Sequence, residues 1–542
     1  MKKLLVTICL AALIGCTVKD ASYPSMVDAY EAWTNKTIPV NDAAVQERWW
    51  QQFNDPELNN LIQTAEAQNL DVKIAQARVR AARAQLISTE AGFLPNITGA
   101  ASAGRSRLST ETATGAGLVT PTANLYDAEI DATWEVNVFQ ISPATKAAEA
   151  TLKSAEESQN AAILSLLGEV ASNYIELRRL QTTLGVTNNS ITAYQTSLSL
   201  AQARQQAGLT TGLDTVRAEA LLETQQAQQP ALATQINAAI RRIEVLLGQN
   251  PGTLDTQLAP PSNTPVMVPV ANSPLLLATP VAVIANRPDV RGAEENLIAA
   301  NAEKNVASAE YFPSLSLPAA FGWQAERVPD LFTGSGLVWA LAGGVNVPIF
   351  DFGRIRADVD LADADAQQAF FQYQKTVQGA LSDVETALSD YLASVNRAPQ
   401  LDRAVVDNQT AVDLSEERYK QGLSNFLDVT TAQQALYTAQ TDQIQNQADM
   451  ASRLVTLYKA MGGGWQNEKG ALITSGASTP AAPAVAAVPA VTSAPAAVSA
   501  PAVSNAPPAA TAIAPSAPVN PPPNAPHVTT EKQKNNTVMV IE

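Results

Sequence analysis

Thiols and imidazoles are almost missing from this chain, which has two cysteines, Cys9 and Cys16, and a single histidine, His527. All three lie near its ends. No disulfide framework, Cys/His metal site or Cys- or His-based nucleophile can therefore be assembled across its body. Gly462-Gly463-Gly464 lacks the Lys and Ser/Thr context of a phosphate-binding loop. Carboxylates are plentiful but spread over helical faces, so the sequence predicts no catalytic residues, no metal and no cofactor. Charge is sparse as well, at 16% of residues, and skewed, with 35 basic against 51 acidic side chains for a net charge of −16. That sign is wrong for neutralising phosphates and excludes a nucleic-acid partner.

What is present begins at the N-terminus. Met1-Lys2-Lys3 is positive, Leu4 to Ile14 is apolar, and Gly15-Cys16 follows. The apolar run is too short for a membrane span, which needs roughly 20 residues, so 1–15 is read as a signal peptide. Leu13-Ile14-Gly15-Cys16 resembles a bacterial lipobox. That resemblance implies cleavage before Cys16, lipid chains including palmitate on it, and a lipidated segment over 16–55. Thr17 in the next position implies outer-membrane sorting. Acyl chains anchor rather than span, gaining about 0.8 kcal/mol per buried CH₂. Cys9 would leave with the signal peptide.

The chain is written twice. Leu70-Asp71-Val72 recurs as Pro288-Asp289-Val290, and Phe93-Leu94-Pro95 as Tyr311-Phe312-Pro313. Gly208-Leu209, Leu213-Asp214, Ala218 and Leu222 recur as Gly422-Leu423, Leu427-Asp428, Ala432 and Leu436, and Leu247-Gly248 as Met461-Gly462. Preserved order at a nearly constant offset means a duplicated unit. The boundaries are a first repeat over 56–250, a linker or equatorial segment over 251–285, and a second repeat over 286–465.

Each repeat reads as a helix, a strand pair, a very long helix, a tight turn and a shorter helix. A helix is expected from Pro56 to Gly92, ending before Pro95. Ser142-Pro143 reads as an N-cap followed by Pro at the first helical position. From there Ile163, Leu167, Val170, Tyr174, Leu177, Leu184 and Ile191 fall on steps of three and four, with Gln181 and Asn188 as polar members. Val377, Ala380, Val384, Ala387, Tyr391, Val405, Val412 and Tyr419 repeat the spacing, with Ser394 and Asn408 among them. The period is near 3.5, the coiled-coil value, over a length of roughly 100 Å. Pro399 and Pro230 are expected to kink their helices.

The strands show what the helices carry. Along Tyr126, Ala128, Ile130, Ala132, Trp134 and Val136 alternate residues are apolar or small, with Asp127, Glu129, Asp131 and Glu135 between them. Leu315 to Trp323 and Leu337 to Val347 repeat the alternation, and Ile97 to Arg105 does so weakly. This is the pattern of barrel strands between lipid and a wet lumen, or of a half-buried soluble sheet. Four strands cannot close a membrane barrel, and an open edge in lipid leaves backbone groups unpaired at several kcal/mol each. Strands in the membrane therefore require an oligomer. Beyond Trp465 the Ala/Pro/Val/Ser tract within 466–542 has little to bury and is expected to be disordered.

Together these pieces resemble the OprM/NodT branch of TolC-like outer-membrane factors: the Cys16 lipobox, the duplication, Pro348-Ile349-Phe350-Asp351-Phe352-Gly353-Arg354 between strand and long helix, and the turns Gly208 to Asp214 and Gly422 to Asp428. The resemblance covers Cys16 to Trp465. It implies an α+β membrane protein, a homotrimer sharing a twelve-stranded barrel in outer-membrane lipid and continued by a periplasmic α-helical barrel. It further implies a drug- or small-molecule-conducting outer component of a tripartite pump, working with a periplasmic adaptor (membrane fusion) protein and an inner-membrane transporter of the resistance-nodulation-division type. Gly208, Leu209, Thr210, Gly422, Leu423 and Ser424 would meet the adaptor. Asp428 would constrict the periplasmic end, and Tyr419 with Asp214 would hold it shut, unless both aspartates merely cap their helices. Thr431 stands at a second acidic-ring position, and Ser424 replaces a tip arginine. The junction Phe139-Gln140-Ile141-Ser142-Pro143 departs from the Phe-Gly-Arg pattern.

The rival readings are a structural or adhesive coiled-coil lipoprotein and a protein-secretion duct. The first accounts for anchor and helices but leaves two matched strand pairs unexplained.

Overall fold

The computed structural model describes residues 32–34, 40–41, 48–107, 122–260, 266–271, 275 and 277–466. Cys16, the signal peptide and the Ala/Pro-rich tract lie outside the described residues.

The expected first helix is two. α1 (Pro56–Gln68) is capped by Asp55, whose carboxylate accepts from the Glu57 and Leu58 amides, and α2 (Leu70–Gly92) restarts at Asn69. Asn69 accepts from Val72 N and donates to Leu246 O at 2.8 Å, so the break is fixed by a polar side chain that no hydrophobic period reveals. The second repeat builds the same joint with different chemistry. There Arg287 precedes α7 (Pro288–Ala309) and donates to Ala460 O at 3.0 Å.

α3 (Val138–Gln206) has 69 residues and α8 (Arg354–Lys420) has 67. At 1.5 Å per residue each is about 100 Å long. α3 starts earlier than Ser142: Asn137 is the cap, accepting from Phe139 N, and Pro143 lies inside the helix. α8 runs as one helix through Pro399. After the first turn come α4 (Gly212–Gln226) and α5 (Gln228–Leu246). The interruption is at Ala227, and Pro230 falls in the first turn of α5, where its missing N–H costs nothing. α6 (Pro280–Asn286) leads into α7, and α9 (Phe426–Ala460) returns from the second turn.

The heptad-like positions pack as their spacing requires. Leu167, Val170, Tyr174 and Leu177 of α3 are fully buried, as are Val384 and Leu388 of α8 and Leu457 of α9. The polar members are satisfied inside this core. Gln181 donates to Leu258 O at 2.7 Å, and Ser394 O accepts from Asn446 at 3.1 Å. The segment after α5 is also pinned. Buried Glu244 accepts from the Gly252 and Leu254 amides at 2.9 and 3.0 Å and pairs with Arg241. Upstream, Trp49 stacks on Tyr458 at 5.7 Å and donates to Gly463 O, tying the N-terminal segment to the end of α9.

Candidate functional site

One sheet forms from both repeats. β1 (Asn96–Arg107) and β2 (Thr122–Val136) are the first hairpin. β3 (Ser314–Ala325) pairs with β4 (Leu337–Leu341) and β5 (Gly344–Asn346), so the expected third segment is split at Ala342-Gly343. The order is β1-β2-β3-β4, all antiparallel, with β5 continuing beside β3.

Register keeps the alternation of all the strands in phase. Gly99, Ile130, Phe321 and Trp339 lie in one row across the sheet, and Ile97, Ala132, Ala319 and Leu341 in another. Because strand side chains alternate faces, every member of these rows points to the same apolar side. Trp339 and Leu341 on it are 73% and 74% exposed. The opposite face carries Asp127, Glu129 and Asp131. There Asp127 accepts from Ser102 at 3.0 Å and from Gln324 at 2.8 Å, a polar row across three strands. The sheet has one greasy and one wet face and two free edges, the outer sides of β1 and of β4/β5.

At the far ends of α3 and α8 the two turns share one geometry. Gly208 and Gly422 follow the helices at φ +73° and +75°, the left-handed region that glycine tolerates. Leu209 N returns to Arg204 O and Leu423 N to Arg418 O, a Schellman closure in both repeats.

The structure brings Tyr419, Asp214 and Thr210 together. Tyr419 Oη donates to Asp214 Oδ2 at 3.3 Å, and Thr210 Oγ1 donates to the same oxygen. Tyr419 is buried against Phe426, Ala201, Ala218 and Val429. Burial, and then the Asp214 carboxylate, push its phenol above the ordinary range, so it remains a proton donor at neutral pH.

Asp428 is not bonded to that group. It is exposed in the first turn of α9, and Asn425 is the cap, accepting from Asp428 N at 3.0 Å. Asp214 likewise follows the cap position, held by Thr211. Neither aspartate is the N-cap of its helix.

Sequence reasoning missed Arg204. Its guanidinium lies 4.7 Å over the Tyr419 ring, and Nη1 donates to Tyr419 O and Lys420 O at 2.8 and 3.0 Å. These are orphan carbonyls at the C-terminus of α8, where a cation also meets the helix dipole. The tip therefore holds an arginine from the other long helix, whereas Ser424 Oγ is buried without a hydrogen bond. Its only sequence signal is the repeat of Arg204 as Arg418 four residues before each turn glycine.

Leu209 and Leu423 are 66% and 63% exposed, and Leu213 and Leu427 beside them are exposed too. The tips thus end in a duplicated set of solvent-facing leucines.

Comparison with known proteins fits this geometry. The family described as outer membrane efflux protein matches residues 61–249 and 279–463, the two repeats. The pyoverdine export outer membrane protein OpmQ of Pseudomonas putida is 31% identical over 460 residues, covering 84% of this chain and 96% of that protein. The solvent efflux pump outer membrane protein SrpC of Pseudomonas putida is 32% identical over 420 residues, covering 76% and 86%. The solved structure of the outer-membrane channel OprN superposes with a TM-score of 0.75 at 29% identity, covering 83% of this chain and all of that one.

Proposed function

This chain belongs to the outer membrane efflux protein family, and from that footing we propose that it is the exit duct of a tripartite pump: a homotrimer that passively conducts small molecules through the outer membrane. The observation that carries this reading is the sheet, whose strands present one continuous apolar face and one carboxylate-bearing face at the end of two helices about 100 Å long. An isolated sheet with two free edges is untenable in lipid, whereas strands shared among copies close a barrel.

The helices extend the passage into the periplasm, and conduction needs no bond made or broken. The exposed leucines at 209, 213, 423 and 427 suit the apolar end of a periplasmic adaptor, itself bound to an inner-membrane transporter of the resistance-nodulation-division type. Lipid on Cys16 adds an anchor beside the barrel. Relatives are named for pyoverdine and for solvents, cargoes of unlike chemistry, which favours substrate selection in the inner-membrane transporter. The gate is the Tyr419–Asp214–Thr210 cluster, with Asp428 as a constriction.

Purified full-length protein reconstituted into planar bilayers should conduct ions in steps of uniform size. A trimer that binds bilayers and conducts nothing would favour the adhesive coiled-coil alternative. Mass spectrometry of the mature N-terminus should find acylated Cys16.

A further inference from the structure

The apolar side of the sheet changes character at one height. Along β1 its members are Ile97, Gly99, Ala101 and Ala103, and the next two residues of the same face are Arg105 and Arg107, opposite Asn124 and Thr122 of β2. Residues two apart on a strand share a face, so both guanidiniums leave on the side of Tyr126 and Ile130. The two arginines are about 6.8 Å apart along the strand.

The height of that change matches a membrane boundary. From Val136 to Tyr126 is ten steps of β2, or about 34 Å along the strand and about 26 Å once it is tilted by roughly 40°. The apolar band of a barrel is about 25 Å tall. Tyr126 ends it on β2, and Trp323 stands beside the row below on β3, where aromatic rings meet headgroups. Arg105 and Arg107 lie just beyond, at the end of the sheet away from the long helices.

Their charge is left over. The four carboxylates of the hairpin, Asp127, Glu129, Asp131 and Glu135, lie on the opposite face. Both arginines are exposed, and among the described residues neither has a hydrogen-bond or ion-pair partner. The other end of the band is built differently. There Arg354, where α8 leaves the sheet, donates to Glu310 and Asp358 at 3.1 and 2.9 Å. Uncompensated cations therefore mark the outer rim of the hairpin, and the planar fork of arginine suits phosphate oxygens.

We infer that Arg105 and Arg107 bind the phosphate groups of an outer-leaflet lipid, whose acyl chains lie down β1 over Ala103, Ala101 and Gly99. Those small residues leave a furrow beside Tyr126 and Ile130, and a Cβ added at Gly99 would meet nothing within 4 Å. The occupant is a lipid because the cations sit directly above a surface that only acyl chains would cover. The inference rests on the membrane reading of the sheet above and adds a ligand class and the residues that hold it.

Lipid A, a glycolipid with two phosphates, tests this when titrated into full-length protein in a neutral detergent, with bound copies counted by native mass spectrometry. The same lipid after enzymatic removal of its phosphates should bind about 25-fold less tightly, at roughly fivefold per arginine. Arg105→Gln with Arg107→Gln should reproduce that loss on lipid A and change nothing on the dephosphorylated lipid. Arg356→Gln, at an exposed arginine in the first turn of α8, is the control for unspecific charge and should bind lipid A as wild type does. Inorganic phosphate titrated alone should give no saturable adduct, and tight binding of it overturns the assignment to lipid. Equal affinity of wild type for both lipids, or unchanged lipid A affinity in the double variant, overturns the site. If that unchanged affinity comes with a lower dissociation temperature of the oligomer, the arginines face a neighbouring copy instead. Wild type that binds no lipid A yet conducts in bilayers overturns the site and leaves the duct intact, whereas protein that neither inserts nor conducts removes the membrane reading and the site with it.

Discussion

Tyr419 Oη reaches Asp214 Oδ2 at 3.3 Å, joining the end of the second long helix to the first turn of a helix in the other repeat. This is a single side-chain hydrogen bond, worth about 0.5 to 1.5 kcal/mol; in the proposed gate it would bias the tip toward closure roughly two- to tenfold per chain. Tyr419→Phe removes the bond and keeps the ring packing on Phe426, so single-channel recordings should show a two- to tenfold rise in open probability. Asp214→Asn should act in the same direction. Because the phenol is held above its ordinary range, its neutral form is stabilised by folding, and that contribution is complete below about pH 10 and lost only as pH rises through the folded value. Opening by deprotonation of Tyr419 should therefore be absent from neutral pH to about pH 9. Unaltered open probability in both variants would rule out the latch.

Arg204 acts through the same tyrosine without touching Asp214. It covers the ring and binds the two carbonyls that end α8. Arg204→Lys keeps the charge but loses the planar fork and the stack. It should open the tip nearly as much as Arg204→Ala, by roughly tenfold for about 1.4 kcal/mol lost. If lysine behaves as wild type, the role is charge alone and the positioning argument fails.

Much of this architecture was legible in the sequence, for identifiable reasons. Long periodic runs such as Leu167, Val170, Tyr174 and Leu177 leave one packing face, and the alternation from Tyr126 to Val136 leaves one strand register. Breaks were not legible where one polar side chain decides them. Asn69 splits an unbroken helical pattern by bonding Val72 N and Leu246 O, and Asn137 starts α3 ahead of the more conspicuous Ser142-Pro143. At the tip, Tyr419 and Asp214 could be found because each turn glycine gives a counting origin. Arg204 stands at a fixed distance from the same origin, but its partners are backbone carbonyls of the other repeat, so that spacing alone gives it no role.

The segment after α5 should loosen in acid. Burial alone would raise the Glu244 carboxyl, but the Leu254 amide, Arg241 and the Gly252 amide outweigh it and hold the group below the usual carboxylate range. A depressed folded value means that this stabilisation is present above the unfolded pKa and lost as pH falls through the folded one. Limited proteolysis within 249–260 should accelerate below about pH 4. Glu244→Gln should show the fast rate already at pH 7; resistance equal to wild type would mean that the loop is held by its buried leucines.

The crossing of β2 and β3 admits no side chain at position 322. A Cβ on Gly322 would fall 2.4 Å from Ala128 O and 2.6 Å from Glu129 Cα, both backbone atoms that cannot swing aside. Gly322→Ala should cost about 1 to 3 kcal/mol by forcing the strands apart, seen as less assembled oligomer after refolding into detergent. Gly344→Ala in β5, where nothing lies within 4 Å, is the matched control and should assemble normally. Equal losses in both would point to a general intolerance of the sheet.

The wet face of the sheet makes a prediction about ion selectivity. Asp127, Glu129 and Asp131 share one side of β2, and Asp127 is fixed there by Ser102 and Gln324, so its charge points across the sheet rather than along it. In a barrel shared by several copies each such position becomes a ring of carboxylates, and rings of one sign in a narrow lumen favour counter-ions. The duct should therefore prefer cations, measured as the reversal potential under a potassium chloride gradient. Asp127→Asn should weaken that preference, and combined Asp127→Lys and Glu129→Lys should reverse it. The apolar rows give the converse: Phe321→Arg, facing lipid, should leave the reversal potential alone and reduce insertion, at about 2 to 4 kcal/mol for a cation near the membrane midplane. If Phe321→Arg shifts selectivity and the Asp127 variants do not, the faces are assigned the wrong way round and the sheet does not line a conducting lumen as argued.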